Sequence, residues 1–166
     1  MHARIRPITP ADNTEMADII WTALAQFDAC GDGFAGQDPE TRALAGAYAQ
    51  PRHAYFVAEW DGQLLGGAGV APLAGGDRET AELRKMYLRA SARGQGVGRA
   101  LLDHCLSAAR AMRYAQLYLE TLESMTAARR LYRAAGFQPL QQPLGQTGHH
   151  GCDRWMLLSL SRQPPS

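Results

Sequence analysis

The order of elements along the chain predicts an α/β (mixed α+β) fold, one mixed sheet with helices on both of its faces. Three observations predict it. Two strand-like runs meet at the hairpin-favouring dipeptide Asp61-Gly62 and begin an antiparallel meander. Apolar residues at helical spacing precede this meander, and strands alternate with helices after it. Between the two halves lies Glu82-Leu-Arg-Lys-Met-Tyr-Leu-Arg-Ala-Ser-Ala-Arg-Gly-Gln-Gly-Val-Gly-Arg99, an extended run that breaks into a glycine-rich turn and then opens a helix.

Taken in order, Ala3 to Ile8 reads as a first strand. Thr9-Pro10-Ala11-Asp12 resembles a helix start, with Thr9 able to accept N–H groups, Pro10 at the first helical position and Asp12 near the positive end. Met16, Ile19, Ile20, Ala23, Leu24 and Phe27 then repeat at helical spacing, so this helix buries one face. Asp28 to Asp38 is a glycine-containing loop, Asp38-Pro39-Glu40 begins a second helix, and Pro51 stops it. Ala54 to Trp60 and Gln63 to Val70 are the hairpin strands, and Gly75-Gly76-Asp77 turns into the strand that bears Glu82. An amphipathic helix runs from Val97 to Met112, a strand from Gln116 to Thr121, and a helix from Met125 to Ala135 that Gly136 ends. Phe137 to Leu140 and Arg154 to Leu160 are the last strands, separated by a Gly- and Gln-rich loop that holds His149 and His150. The tail Gln163-Pro-Pro-Ser is expected to be disordered, and residues 1–162 to form one domain without repeats or linkers.

Composition excludes several classes of function. At 166 residues the chain is long enough to bury a substantial core, and its formal charge of +1 is too small for a protein that holds nucleic acid through a basic surface. Cys30, Cys105 and Cys152 form no Cys-x-x-Cys pair and are odd in number, which argues for reduced thiols. No apolar window approaches a membrane span and no signal peptide opens the sequence, so a cytoplasmic protein without membrane partners is expected.

The glycine turn reads as an anion site. Gly94, Gly96 and Gly98 present no side chains to block a ligand, so successive N–H groups can converge on one negative group. The positive end of the following helix lies at the same spot, flanked by Arg93 and Arg99. A diphosphate suits such a place, although a glycine-rich surface turn also arises for conformational reasons alone. The spacing matches neither a P-loop, which needs a Gly-Lys-Ser/Thr, nor a dinucleotide fingerprint, which needs Gly-x-Gly-x-x-Gly.

Arg93-Gly-Gln-Gly96-Val-Gly98 does fit the pattern Arg/Gln-x-x-Gly-x-Gly/Ala, and on this motif the chain resembles the GCN5-related N-acetyltransferase (GNAT) family. Glu82-Leu-Arg-Lys-Met-Tyr-Leu resembles that family's fourth strand, and Leu131-Tyr132-Arg-Ala-Ala-Gly136-Phe137 its second signature, Leu-Tyr-x-x-x-Gly-Phe. The resemblance covers roughly residues 54 to 160. It implies a mostly antiparallel twisted sheet whose fourth and fifth strands splay apart, with acetyl-CoA as co-substrate and no metal. Its pantetheine arm would lie in the splay along Met86, Tyr87 and Leu88, and its diphosphate on Arg93, Gly94, Gln95, Gly96, Val97, Gly98 and Arg99. Two positions depart from the family pattern. Met125 replaces an asparagine that contacts the pantetheine, leaving Ser124 or Thr121 for that contact, and Ala90 replaces a proline.

Acetyl transfer to an amine needs a proton acceptor, an oxyanion donor and a proton for the departing sulfur. The resemblance gives the first role to Glu82, whose alternative reading is a strand residue paired with Arg84 or Lys85; His149 and His150 are rival bases. It gives the second to a backbone N–H around Tyr87 or Leu88. The third falls to Tyr132, whose phenol, with a reference pKa of about 10, stays protonated at neutral pH; the alternative is a packing aromatic. The acceptor site would be built by the first two helices and the loop before the last strand, with Phe27, Tyr48, His149, His150 and Trp155 as candidate lining residues. His149, His150 and Cys152 alone do not make a structural zinc site, which wants four ligands at recognised spacing.

The function these residues imply is transfer of acetyl from acetyl-CoA to a primary amine of a small molecule, by direct attack in a ternary complex. Alternatives are acetylation of a protein N-terminus or lysine, a non-catalytic acyl-CoA-binding module, and an O-acetyltransferase or user of longer acyl groups. Homodimers are common among folds of this type, but no segment identifies an interface.

Overall fold

The computed structural model describes residues 2–160, so the expected domain end at 162 and the tail from Gln163 lie outside the described residues. Seven strands, β1 (Arg4–Pro7), β2 (Ala54–Trp60), β3 (Gln63–Pro72), β4 (Thr80–Leu88), β5 (Gln116–Thr121), β6 (Gln138–Leu140) and β7 (Arg154–Ser159), form one sheet in the order β1-β2-β3-β4-β5-β7-β6. Every neighbouring pair is antiparallel except β4 and β5. The hairpin turn forms at Asp61-Gly62, where both residues have positive φ (50° and 76°), the geometry whose twist matches the flanking strands.

Helices cover both faces. On one, α3 (Val97–Ala111) packs Leu101, Leu102, Cys105 and Ala109 against Ala81, Leu83, Leu117 and Leu119, and α4 (Thr126–Ala134) adds Leu131 and Tyr132. Leu101 and Leu102 are fully buried, each contributing about 1.5–3 kcal/mol by leaving water. On the other face, α1 (Asn13–Ala25) buries Met16, Ile19, Ile20 and Leu24 with Leu44, Tyr48 and Tyr55, as its spacing predicts. A 3₁₀ turn at Pro10–Asp12 leads into α1, and Phe27 falls beyond its last turn.

The second helix differs from the expectation. Instead of a continuous helix from Asp38 toward Pro51 there is a 3₁₀ turn at Pro39–Arg42 and one short turn, α2 (Leu44–Ala47). Ala43, at φ −141° and ψ 47°, separates them, and the Thr41 hydroxyl donates 2.8 Å to the Ala35 carbonyl. Asp38 caps nothing with its side chain, because that carboxylate and the one on Glu40 are drawn to Lys85 on β4.

Two irregularities of β4 position the site. It pairs with β5 only through Thr80, Ala81 and Glu82, opposite Gln116, Leu117 and Tyr118, and from Leu83 onward the strands part. This is the expected splay, with Glu82 at its fork. On its other edge β4 carries a bulge: Gly67 pairs with Tyr87 but Gly69 with Arg84, and Lys85 takes φ +49°. The extra residue reverses the alternation of side chains. Ala81 and Leu83, then Met86 and Leu88, face α3, while Glu82 and Arg84, then Lys85 and Tyr87, face the α1 side.

Candidate active site

A cavity of about 310 Å³ opens at the splay. Met86, Tyr87 and Leu88 form one wall, Met125, Ala128, Leu131 and Tyr132 of the α4 region another, and Ala23 and Phe27 from the end of α1 a third. Arg93, Gly94, Gly96, Gly98 and Arg99 close its far end. Gly94 and Gly96 both have positive φ (72° and 81°), and a Cβ on either would meet no protein atom within 4 Å. Glycine is required there by the backbone, and the space above the loop is open. At Gly98 the constraint is contact instead. A Cβ there would lie 3.3 Å from Leu131 and 3.4 Å from Leu88, so its absence lets α3 start close to α4 and β4.

The first-turn N–H groups of α3 have no intrahelical partners and add positive potential at this end. Arg93 is fixed by its Nη2 donating to Gln26 Oε1 (2.7 Å) and the Leu88 carbonyl (3.2 Å), with its guanidinium 5.7 Å from the Phe27 ring centre. Arg99 pairs with Asp103 at 3.0 Å on the exposed face of α3. Gln95, Val97 and Ser124 are not among the cavity walls: the Gln95 amide donates to the Ser91 carbonyl, Val97 is buried in the core, and Ser124 is exposed. Thr121 donates its hydroxyl to the Met125 sulfur (3.6 Å), and Met125 itself lines the cavity.

Tyr132 is buried against Phe137, lines the cavity, and hydrogen-bonds no other described residue; burial holds its phenol pKa above the ordinary value. Tyr87 lies between this tyrosine and the α1 side, near Cys152 and Asp38, and burial likewise raises its phenol.

On the α1 side of the fork lies a cluster of charges. Glu82 is 3% exposed; its Oε1 accepts from Arg84 Nε at 2.7 Å and its Oε2 has no partner. Burial raises its pKa, against the opposing charges of Arg84 and His149, and Glu120 adds to the rise. The pairing with Arg84 read from sequence thus forms, with the carboxylate end buried. Lys85 Nζ donates to Asp38 Oδ2 (2.5 Å) and Glu40 Oε1 (2.8 Å). His149 Nε2 meets the same Asp38 oxygen at 2.8 Å, and its Nδ1 lies 3.8 Å from Glu120. Burial disfavours the imidazolium, but the bond to Asp38 and the charges of Asp38 and Glu82 outweigh it and raise the His149 pKa. Glu120 also accepts from the hydroxyls of Thr147 and Tyr118.

Two loops meet beside this cluster. Gly151 N–H donates to the Gly33 carbonyl at 3.0 Å, the Phe34 ring packs over Gly151, and His150 packs over Gly33. Of the lining residues expected from sequence, Phe27 reaches the cavity and His149 the charged cluster. Tyr48 is a core residue, 5.2 Å from the Tyr55 ring with its hydroxyl on Glu40, His150 is exposed, and Trp155 is partly exposed on β7 opposite Glu120.

The model of the acetyltransferase (GNAT) family matches residues 16–137. The chain belongs to that family. It is 37% identical over 157 residues to YjgM of Escherichia coli K12, described as an uncharacterised N-acetyltransferase, with 94% of each chain covered. In fold it is similar to a GNAT-family acetyltransferase of Staphylococcus aureus Mu50 (TM-score 0.85, 17% identity, 96% and 100% of the two chains covered). It is also similar to yncA of Salmonella typhimurium, a putative acetyltransferase with its cofactor acetyl-CoA (TM-score 0.79, 23% identity, 100% and 98% covered).

As a GNAT protein the chain is an acetyl-CoA-dependent acetyltransferase. The cavity fits that co-substrate: an apolar channel between β4 and α4 suits a pantetheine arm, and the open glycine turn suits a diphosphate. Sequence reasoning missed Asp38, Glu40 and Glu120 as parts of the site, and of the two partners it offered Glu82 the structure gives Arg84, while Lys85 turns to Asp38 and Glu40. Asp38 and Glu40 carried a signal, but it read as a helix start; Glu120 differs in no way from an ordinary strand residue until the fork places it.

Proposed function

We propose that this enzyme acetylates a primary amine of a small molecule, by direct attack in a ternary complex, with Glu82 as base and Tyr132 as acid. Acetyl-CoA supplies the thioester whose acyl group is transferred. Glu82, at the fork and on the acceptor side, takes the proton of the acceptor ammonium through its unpartnered Oε2. The backbone N–H of Leu88 faces the edge that β5 leaves at the splay and is available to a carbonyl oxygen, whereas that of Tyr87 faces β3. Tyr132, whose phenol burial keeps protonated, gives its proton to the departing sulfur as the C–S bond breaks, and the second proton that the nitrogen sheds on becoming an amide restores the phenol.

The observation that carries the small-molecule reading is the meeting of the two loops. A protein substrate needs an open groove, whereas here Gly33, Phe34 and Asp38 contact Gly151 and His149 beside Glu82. The test begins with calorimetric titration of acetyl-CoA into wild type and Gly96→Glu, which puts a carboxylate over the anion cradle. Wild type is expected to bind and the variant to fail. A thiol-release screen of small amines against lysine-bearing and N-terminal peptides follows. Turnover confined to peptides overturns the small-molecule reading, and wild type that binds no acetyl-CoA overturns the catalytic roles as well.

A further inference from the structure

From the charged cluster at the β4–β5 fork we infer that the acceptor is an amine with no carboxylate beside it, as in an aliphatic diamine or an aromatic ethylamine, rather than an amino acid. This rests on the acetyl-transfer reading above and names its acceptor class. Four carboxylates, on Asp38, Glu40, Glu82 and Glu120, face two permanent cations, Arg84 and Lys85, and one histidine. Each of those cations is already engaged. Lys85 is held between Asp38 and Glu40, and Arg84 by Glu82 and the Pro72 carbonyl (2.9 Å). An entering carboxylate therefore finds acidic neighbours and no free positive partner.

The one buried side-chain oxygen without a hydrogen bond among the described residues is Glu82 Oε2, and in the ionised carboxylate that serves as base what satisfies it must donate a hydrogen bond. An ammonium does so and also offsets the excess negative charge. Cys152 senses the same field: burial first, then Glu120, Asp153, Glu82 and Asp38 push its thiol pKa up to about 12. Because Oε2 has no exposed surface, the acceptor reaches it only as the side chains that cover it move aside.

The test compares matched pairs in the thiol-release assay: cadaverine with lysine, agmatine with arginine, tyramine with tyrosine. The carboxylate-free member is expected to have a kcat/KM at least about ten-fold higher, since like charges in such a site oppose binding. Asp38→Asn, which loosens the hold on Lys85, is expected to narrow that ratio. An amino acid that equals or surpasses its amine overturns the inference, as does turnover of neither member of any pair by protein that binds acetyl-CoA in the calorimeter. Absence of acetyl-CoA binding is a different failure, that of the acetyl-transfer reading itself.

Discussion

Replacing Tyr132 by phenylalanine removes a single oxygen and leaves the ring that packs 5.8 Å from Phe137. That oxygen hydrogen-bonds no other described residue, so no protein partner is stranded by its loss. The cost to stability is therefore about 0.5 kcal/mol or less, of either sign. In a domain of this size that moves the melting temperature by no more than about 2 °C. Losing a proton donor to the leaving sulfur removes about 10²–10⁴-fold in turnover, which is about 3–5 kcal/mol of transition-state stabilisation. The two readings of Tyr132 thus differ by several kcal/mol in one observable and agree in the other. The assay is thiol release under saturating acetyl-CoA, with melting and acetyl-CoA calorimetry on the same sample. The expected result is a large fall in kcat with unchanged melting and cofactor affinity. Turnover within about three-fold of wild type refutes the acid role, because an effect below about 1 kcal/mol is smaller than general acid catalysis supplies.

Three other outcomes follow from the charged cluster. Lys85→Met leaves Asp38 and Glu40 without their shared cation; breaking a buried pair costs about 3–5 kcal/mol, reduced to about 2–3 because both carboxylates keep some solvent contact. Urea unfolding measures it, and an unchanged midpoint rules out the role assigned to Lys85. Burial raises the Glu82 pKa above 4.5, so kcat/KM should rise with pH along a limb above that value, and Glu82→Gln should abolish the limb and lower the rate about 10²–10⁴-fold. A limb that survives the substitution assigns the base elsewhere. The His149 pKa is raised in the folded state, so its tie to Asp38 stabilises fully below the unfolded value of 6.5 and fades as pH rises through the folded one. The stability deficit of His149→Asn should accordingly shrink as melts are repeated at increasing pH; a deficit that grows with pH reverses the sign and defeats the argument.

Much of the scaffold could be read locally. The hairpin at Asp61-Gly62, the helical spacing of Met16 to Leu24, and the strand-turn-helix around Gly94 to Gly98 each rest on neighbours within a few residues, and each element formed. The second helix failed for an equally physical reason. Asp38-Pro39-Glu40 is a good local start, but a buried lysine bids for both carboxylates more strongly than a helix end does. The bulge at Lys85 was invisible for a different cause: it is set by the pairing of Gly67 and Gly69 across the sheet.

The sequence by itself determined the family, the glycine turn at the end of the cavity, and the presence of Glu82 and Tyr132 in their motifs, because those features are fixed by order and spacing along one stretch of chain. Tertiary structure decided what surrounds them. Lys85 meets Asp38 across 47 positions and His149 meets it across 111, and no local pattern encodes partners at such separation. A one-residue bulge then turns Lys85 toward the α1 side, and the parting of β4 from β5 leaves Glu82 at the root of the fork. Charge and position in this site are consequences of strand register, which depends on the whole sheet being in place.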